Sequence, residues 1–328
     1  MSNEQLYREL SGKVGLPNSE SLHAVWRMLC TEEEARVANL LPGTADEIAA
    51  KAGMSAGEAE KLLAFLFKKG AAFRAVKEGV MRYRMAKNIV QFHDACLLWE
   101  GATPEFFNAW KKVMDEDFSG FLKNLPGSMV LPSFMRVIPI NESVEARNEV
   151  LSFEECERLI EGSPSVAVVK CPCRLSQQNC GAPVENCIQI NRGAEYVIDR
   201  GHGRAITKQE ALDIINLSRE AGLVQMTENR VAGNAICNCC SCCCEMFRLV
   251  EHTGKQWILS PSRYLAVVGE GCTACGACEE ICPVQAIAVD GIAVVDAEVC
   301  MGCGLCATVC PVEVITLGLV RPEEHIPR

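Results

Sequence analysis

Two copies of one cysteine pattern lie end to end near the C-terminus, and they restrict the local fold more than any other part of the chain. "CTACGACEEICP" begins at Cys272 and "CMGCGLCATVCP" at Cys300, 28 residues later. Each reads C-x2-C-x2-C-x3-C-P. Cysteines spaced this closely wrap a tight loop. The small residues between them (Ala274, Gly276, Ala277; Gly302, Gly304) let backbone amides approach whatever the thiolates hold. "AIAVDGIAVVD" between the copies predicts a hairpin turning at Asp290-Gly291. A disulfide framework is the plain alternative for 21 cysteines. That framework belongs to small secreted domains, whereas 328 residues with 49% hydrophobic content supply an ordinary core. Reduced thiolates binding metal are therefore the expectation.

This segment resembles the dicluster bacterial-type ferredoxins, with both cysteine runs and both following prolines, Pro283 and Pro311, in place. In that pattern the first three cysteines of a run and the fourth of the other run hold one [4Fe–4S] cluster. Cluster one is thus expected on Cys272, Cys275, Cys278 and Cys310, and cluster two on Cys300, Cys303, Cys306 and Cys282. Zinc sites instead space their cysteine pairs a dozen or more residues apart. The resemblance implies one-electron transfer.

Ten further cysteines form two groups in the middle of the chain. "KCPCRLSQQNCGAPVENC" carries Cys171, Cys173, Cys180 and Cys187, and "CNCCSCCC" carries Cys237, Cys239, Cys240, Cys242, Cys243 and Cys244. An amphipathic helix, with Thr207 as its cap and Gly222 near its end, joins them. Six thiols in eight residues would be an oxidation hazard if unligated. The two groups are expected to converge on metal, as one or two additional iron–sulfur clusters, with not every thiol a ligand. Zinc is the alternative. Cys30, Cys96 and Cys156 sit in apolar helical contexts and read as buried thiols.

Ahead of these, residues 44–86 have a helix-turn-helix rhythm. Thr44 and Ser55 are placed as caps, Gly53 as the turn, and Lys77-Glu78-Gly79 as a wing turn. This stretch resembles a winged-helix domain. Residues 1–90 carry 13 bases and 11 acids, and the second helix opens on Glu58 and Glu60, which counts against a DNA surface. Residues 90–160 look mostly helical, with "SFMRVIPI" as a candidate strand. Their aromatics (Trp99, Phe106, Phe107, Trp110, Phe118 and Phe121) read as core, and His93 and His202 as lone histidines.

The expected class is α+β and modular: a winged-helix-like domain at 1–89, a helical connector at 90–160, a cysteine-rich α/β iron–sulfur domain at 161–262 and a ferredoxin-like domain at 263–328. The whole plan is similar to a group of iron–sulfur proteins of anaerobic bacteria and archaea with a "CxCR…CNCCxCCC" middle. That likeness implies an electron carrier or a component of a larger oxidoreductase complex more than a stand-alone enzyme. Residues 265–328 hold nine acids and two bases, which favours a protein redox partner with a basic docking surface. No dinucleotide, P-loop, nucleophile-elbow or metalloprotease motif is present. The polar start "MSNEQLYREL" and the lack of an apolar run of about 18 residues point to a cytoplasmic protein without a membrane span. Two rival readings stay open: a redox-sensing DNA-binding regulator, and a reductase with a substrate-binding middle cluster.

Overall fold

The computed structural model describes residues 2–129, 131–145 and 150–328. Helix and strand are both well represented (44% and 18%), so the chain is α+β. It divides into two compact units. One holds the residues up to Leu125 with 172–178 and 200–202; the other holds 126–171, 179–199 and 203–328.

The first unit begins with helices α1 (Asn3–Lys13), α2 (Glu20–Leu29), α3 (Glu32–Asn39), α4 (Ala45–Ala52) and α5 (Ala56–Lys68), then strands β1 (Ala72–Lys77) and β2 (Val80–Met85). The helix starts follow local chemistry. Thr31, Thr44 and Ser55 each accept from the backbone three residues on, while Glu34, Glu47 and Glu58 reach back to the cap. Gly53 closes α4 in the left-handed conformation. Glu78 and Gly79 both take positive φ (54° and 78°), the two-residue turn that matches strand twist in a hairpin.

Helices Ile89–Cys96 and Pro104–Lys112 follow, the latter running through a π-helical segment, Val113–Phe118, into Ser119–Lys123. Here the aromatic expectation divides. Phe106, Trp110 and Phe118 are buried, but Phe121 is 45% exposed. The Phe92 ring stacks on Trp26 at 4.4 Å and meets Trp110 edge-on at 5.3 Å. Removing it empties the centre of this core. Phe92→Ala is expected to lower the unfolding free energy by about 3–5 kcal/mol. Urea titration followed by tryptophan fluorescence checks this, and a loss below about 1 kcal/mol would contradict the packing. Arg200, fully buried, donates to the Ala95 carbonyl at 2.9 Å and the Lys68 carbonyl at 3.0 Å. A Cβ on Gly70 would stand 2.6 Å from that Ala95 carbonyl, so glycine is needed there for close approach.

The helical expectation for 90–160 ends near Lys123. Among the described residues that follow are two 3₁₀ turns (Asn141–Ser143 and Ser152–Glu154), strand β3 (Met135–Val137) and helix Cys156–Glu161. Pro126, Pro132 and Pro139 break the helical run, each removing a backbone donor.

The second unit is organised on a seven-stranded sheet. Its strands are β3, β4 (Val166–Lys170), β5 (Glu185–Ile190), β6 (Arg204–Ala205), β7 (Val224–Glu228), β8 (Ala235–Cys239) and β9 (Leu259–Ser260). They lie in the order β6-β4-β5-β8-β7-β3-β9, antiparallel except for β3 beside β9. Val166, Ile188, Ile190 and Ile236 pack with Ala211 and Ile215 of helix Lys208–Glu220 and with Cys156 and Ile160. That helix is capped by Thr207 as its sequence predicts. Strand alternation then puts Cys187, Cys237 and Cys239 on the opposite sheet face from Ile188 and Ile236.

The same unit continues into two small antiparallel pairs. β10 (Tyr264–Val268) pairs with β13 (Ile315–Leu319), and β11 (Ile287–Asp290) pairs with β12 (Ile292–Val295) around Gly291 (φ 73°). Tyr264, Leu317, Ile287 and Ile315 form their core. Beside it Arg263 donates to Glu154 at 2.9 Å, both side chains buried.

Candidate metal centres

The backbone of the two cysteine runs is the same in both copies. Ala274 and Gly302, one residue before the second cysteine of each run, have φ of 54° and 63°. Gly276 and Gly304, one residue after it, have φ of 81° and 90°, and each opens a short helix, Ala277–Ile281 or Leu305–Thr308. Gln285 and Glu313, three residues beyond each fourth cysteine, repeat the left-handed turn at 55° and 51°. These reversals fold each run into a cup.

Two cavities result. One is walled by Cys272, Cys275, Cys278 and Cys310. The other is walled by Cys282, Cys300, Cys303 and Cys306. Each therefore takes three thiols from one copy and one from the other. Ala293 N–H donates to Cys272 Sγ at 3.4 Å, and Ala286 N–H donates to Cys282 Sγ at 3.2 Å. The amides of Ala293 and Ala274 lower the pKa of Cys272, whereas burial raises that of Cys278. Two sets of four thiols around a void, with amides aimed at sulfur, fit thiolate-ligated anionic clusters.

The cup around the second cavity is propped from outside the repeat, by residues the sequence did not single out. Ile140 N–H donates to the Cys303 carbonyl at 3.0 Å, and Ser143 Oγ donates to the Gly304 carbonyl at 3.3 Å. Ser262 Oγ donates to the Gly302 carbonyl at 2.7 Å. Nothing periodic or motif-like marks these positions.

The middle cysteines are not gathered at one point. Cys180 lies with Cys240, Cys242 and Cys243, all four sulfurs within 4.8 Å of one another. Cys180 Sγ is 3.6 Å from Cys240 Sγ and 3.7 Å from Cys243 Sγ, and Cys242 Sγ is 3.8 Å from Cys243 Sγ. Although burial works against the thiolate, the Ala182 N–H and the neighbouring thiols Cys242, Cys240 and Cys243 bring Cys180 down to about 7. Cys239 hydrogen-bonds with Cys237 and Cys244, and these contacts together with burial raise its pKa. Gln189 Nε2 donates to Cys187 Sγ at 3.5 Å. Cys171 is held by its own N–H on the Val184 carbonyl at 2.7 Å. Cys173 belongs to the first unit. Cys30, Cys96 and Cys156 are buried, as their contexts predict. His202 is kept neutral: burial, with Arg200 and Lys68 nearby, lowers it to about 4.

Residues 271–314 match the family model of the 4Fe-4S dicluster domain. No curated protein and no solved structure significantly matches the chain. The dicluster domain supports iron–sulfur clusters as cofactors, electron transfer as their use, and a protein as redox partner. Among the described residues no helix is long and apolar enough to cross a membrane.

Proposed function

We propose that this chain is an electron-transfer protein, or the electron-transfer component of an oxidoreductase complex, working between a low-potential donor and a partner oxidoreductase. The pair of four-thiol cavities, each walled by both copies of the repeat, carries this reading. Cys272, Cys275, Cys278 and Cys310 hold one [4Fe–4S] cluster, and Cys300, Cys303, Cys306 and Cys282 the other. When bound, such clusters supply one-electron redox chemistry. The chain's own residues fix the sulfur positions, aim the Ala293 and Ala286 amides at them, and surround the cavities with Val289, Ala293, Ile315, Ala266, Ile287 and Leu305 to limit water. One further cluster is assigned to thiols outside the Cys180 group, centred on Cys237, Cys239 and Cys244. Cys237 and Cys239 share one face of the seven-stranded sheet with Cys187, which supports that placement. Anaerobically purified protein should then carry about 12 irons per chain, and a count of about 8 would remove the third cluster.

The net charge of −7 over residues 265–328 supplies the docking surface. Electron transfer to a cationic protein acceptor is expected to slow about tenfold or more as ionic strength rises from about 0.01 to 0.5 M. Stopped-flow reoxidation measures this, and a rate indifferent to salt would refute electrostatic docking.

The winged-helix-like region is read as a docking or structural module. Five of its bases are already engaged. Lys69 pairs with Glu34 at 2.7 Å, Arg82 with Glu47 at 3.1 Å, and Lys68 donates to the Arg200 carbonyl at 2.6 Å. Arg74 and Arg84 lie over the rings of Phe67 and Phe73. Val76, Val80 and Met81 at the hairpin tip are exposed apolar residues, where phosphate contacts would call for cations.

A further inference from the structure

The chain offers an internal comparison between two kinds of thiol site. In the dicluster domain four thiols line each of two hollows, spread around its wall. A cubane needs that arrangement, because each thiolate binds a different iron at a corner of a cube. In the middle region Cys180, Cys240, Cys242 and Cys243 have their sulfurs nearly in contact. Among the described residues they are the one set of metal-ligating atoms gathered so tightly. Three of their six separations are 3.6, 3.7 and 3.8 Å. A regular tetrahedron with edges of about 3.7 Å has its centre about 2.3 Å from each corner, which is the zinc–thiolate bond length. A cube of iron and sulfide has no room between sulfurs so placed.

We propose that Cys180, Cys240, Cys242 and Cys243 hold a single tetrahedral zinc ion rather than an iron–sulfur cluster. Tetrahedral S₄ coordination suits zinc, and zinc outranks ferrous iron in intrinsic affinity for such a site. The surroundings complete it. Asn179 Nδ2 donates to the Cys242 carbonyl at 2.8 Å, and the Cys244 N–H donates to the Cys240 carbonyl at 3.1 Å. These bonds set the turn that presents three of the four sulfurs. The fourth comes from the other cysteine group, so the ion clips the loop after Asn179 to the end of β8. Four protein thiolates leave no position open, which makes the site structural. This inference stands independently of the electron-transfer reading.

The test is metal and acid-labile sulfide analysis on the full chain purified anaerobically, together with zinc K-edge absorption. The expected result is about one zinc per chain, with a first shell of four sulfurs near 2.3 Å and no neighbouring metal. C180S, which alters the exposed member of the set, should lose that zinc while iron and sulfide stay unchanged. Loss of about four irons and four sulfides in C180S would overturn the proposal in favour of a cubane. Loss of one iron without sulfide would overturn the choice of zinc. Should C180S fold poorly, the wild-type zinc edge decides alone: absence of zinc, or a shell containing oxygen or nitrogen, counts against the site.

Discussion

Cys310→Ser is expected to remove about half of the iron in the dicluster domain, and the half it removes is the one held by the other copy of the repeat. Cys310 follows Cys300, Cys303 and Cys306 in sequence, yet it lines the cavity of Cys272, Cys275 and Cys278. A cluster deprived of one thiolate ligand at such a site loses about four irons. Pairing the substitutions makes the assignment decisive. Cys275→Ser added to Cys310→Ser should cost nothing more, since both act on one cluster. Cys303→Ser added to Cys310→Ser should empty both cavities. Iron and sulfide counts read the outcome, and additivity in the reverse pattern would show that each run holds its own fourth ligand.

Gly302→Ala should be nearly as damaging without touching a thiol. A Cβ at this position would overlap the Tyr264 carbonyl oxygen and Ser262 Oγ, and would lie 2.8 Å from the Tyr264 carbonyl carbon. The positive φ of 63° is not by itself the obstacle. Ala274 holds the equivalent place in the first copy at 54°. The difference is crowding: Gly302 lies against the start of β10, and its carbonyl accepts from Ser262 Oγ. The expected cost is on the order of 3 kcal/mol, with loss of the cluster at Cys300, Cys303, Cys306 and Cys282. Thermal unfolding and iron content check it, and a variant with full iron and an unchanged melting temperature would show that β10 can yield. The reciprocal change, Ala274→Gly, should be close to neutral on the same measurements.

The contrast between these two positions also shows what a sequence can and cannot disclose. The cysteine runs are legible because ligand spacing, the small residues between ligands and the turn at Gly291 are all local. The helix starts at Thr44, Ser55 and Thr207 are legible for the same reason, since a cap and its partner lie three residues apart. The seven-stranded sheet is not. β3 and β9 have three and two residues, and their pairing joins segments more than 120 residues apart, Met135 to Leu259. Nor could spacing tell that Cys180, rather than Cys171, Cys173 or Cys187, would meet Cys240, Cys242 and Cys243. That choice depends on a loop whose course is set by Gln178 in the left-handed region and by the Asn179 side chain. Phe121 failed as a core residue because helical spacing marks a stripe without saying where the neighbouring wall ends.

Because neither cup is closed by its own copy alone, the duplicated segment does not separate into two self-sufficient halves. Cutting the chain at the β11–β12 turn would leave each fragment with three thiols facing solvent and a fourth facing nothing. Neither four-thiol site is complete until residues 272–310 have folded back on themselves, and a chain that has emerged only as far as Cys300 has no finished site.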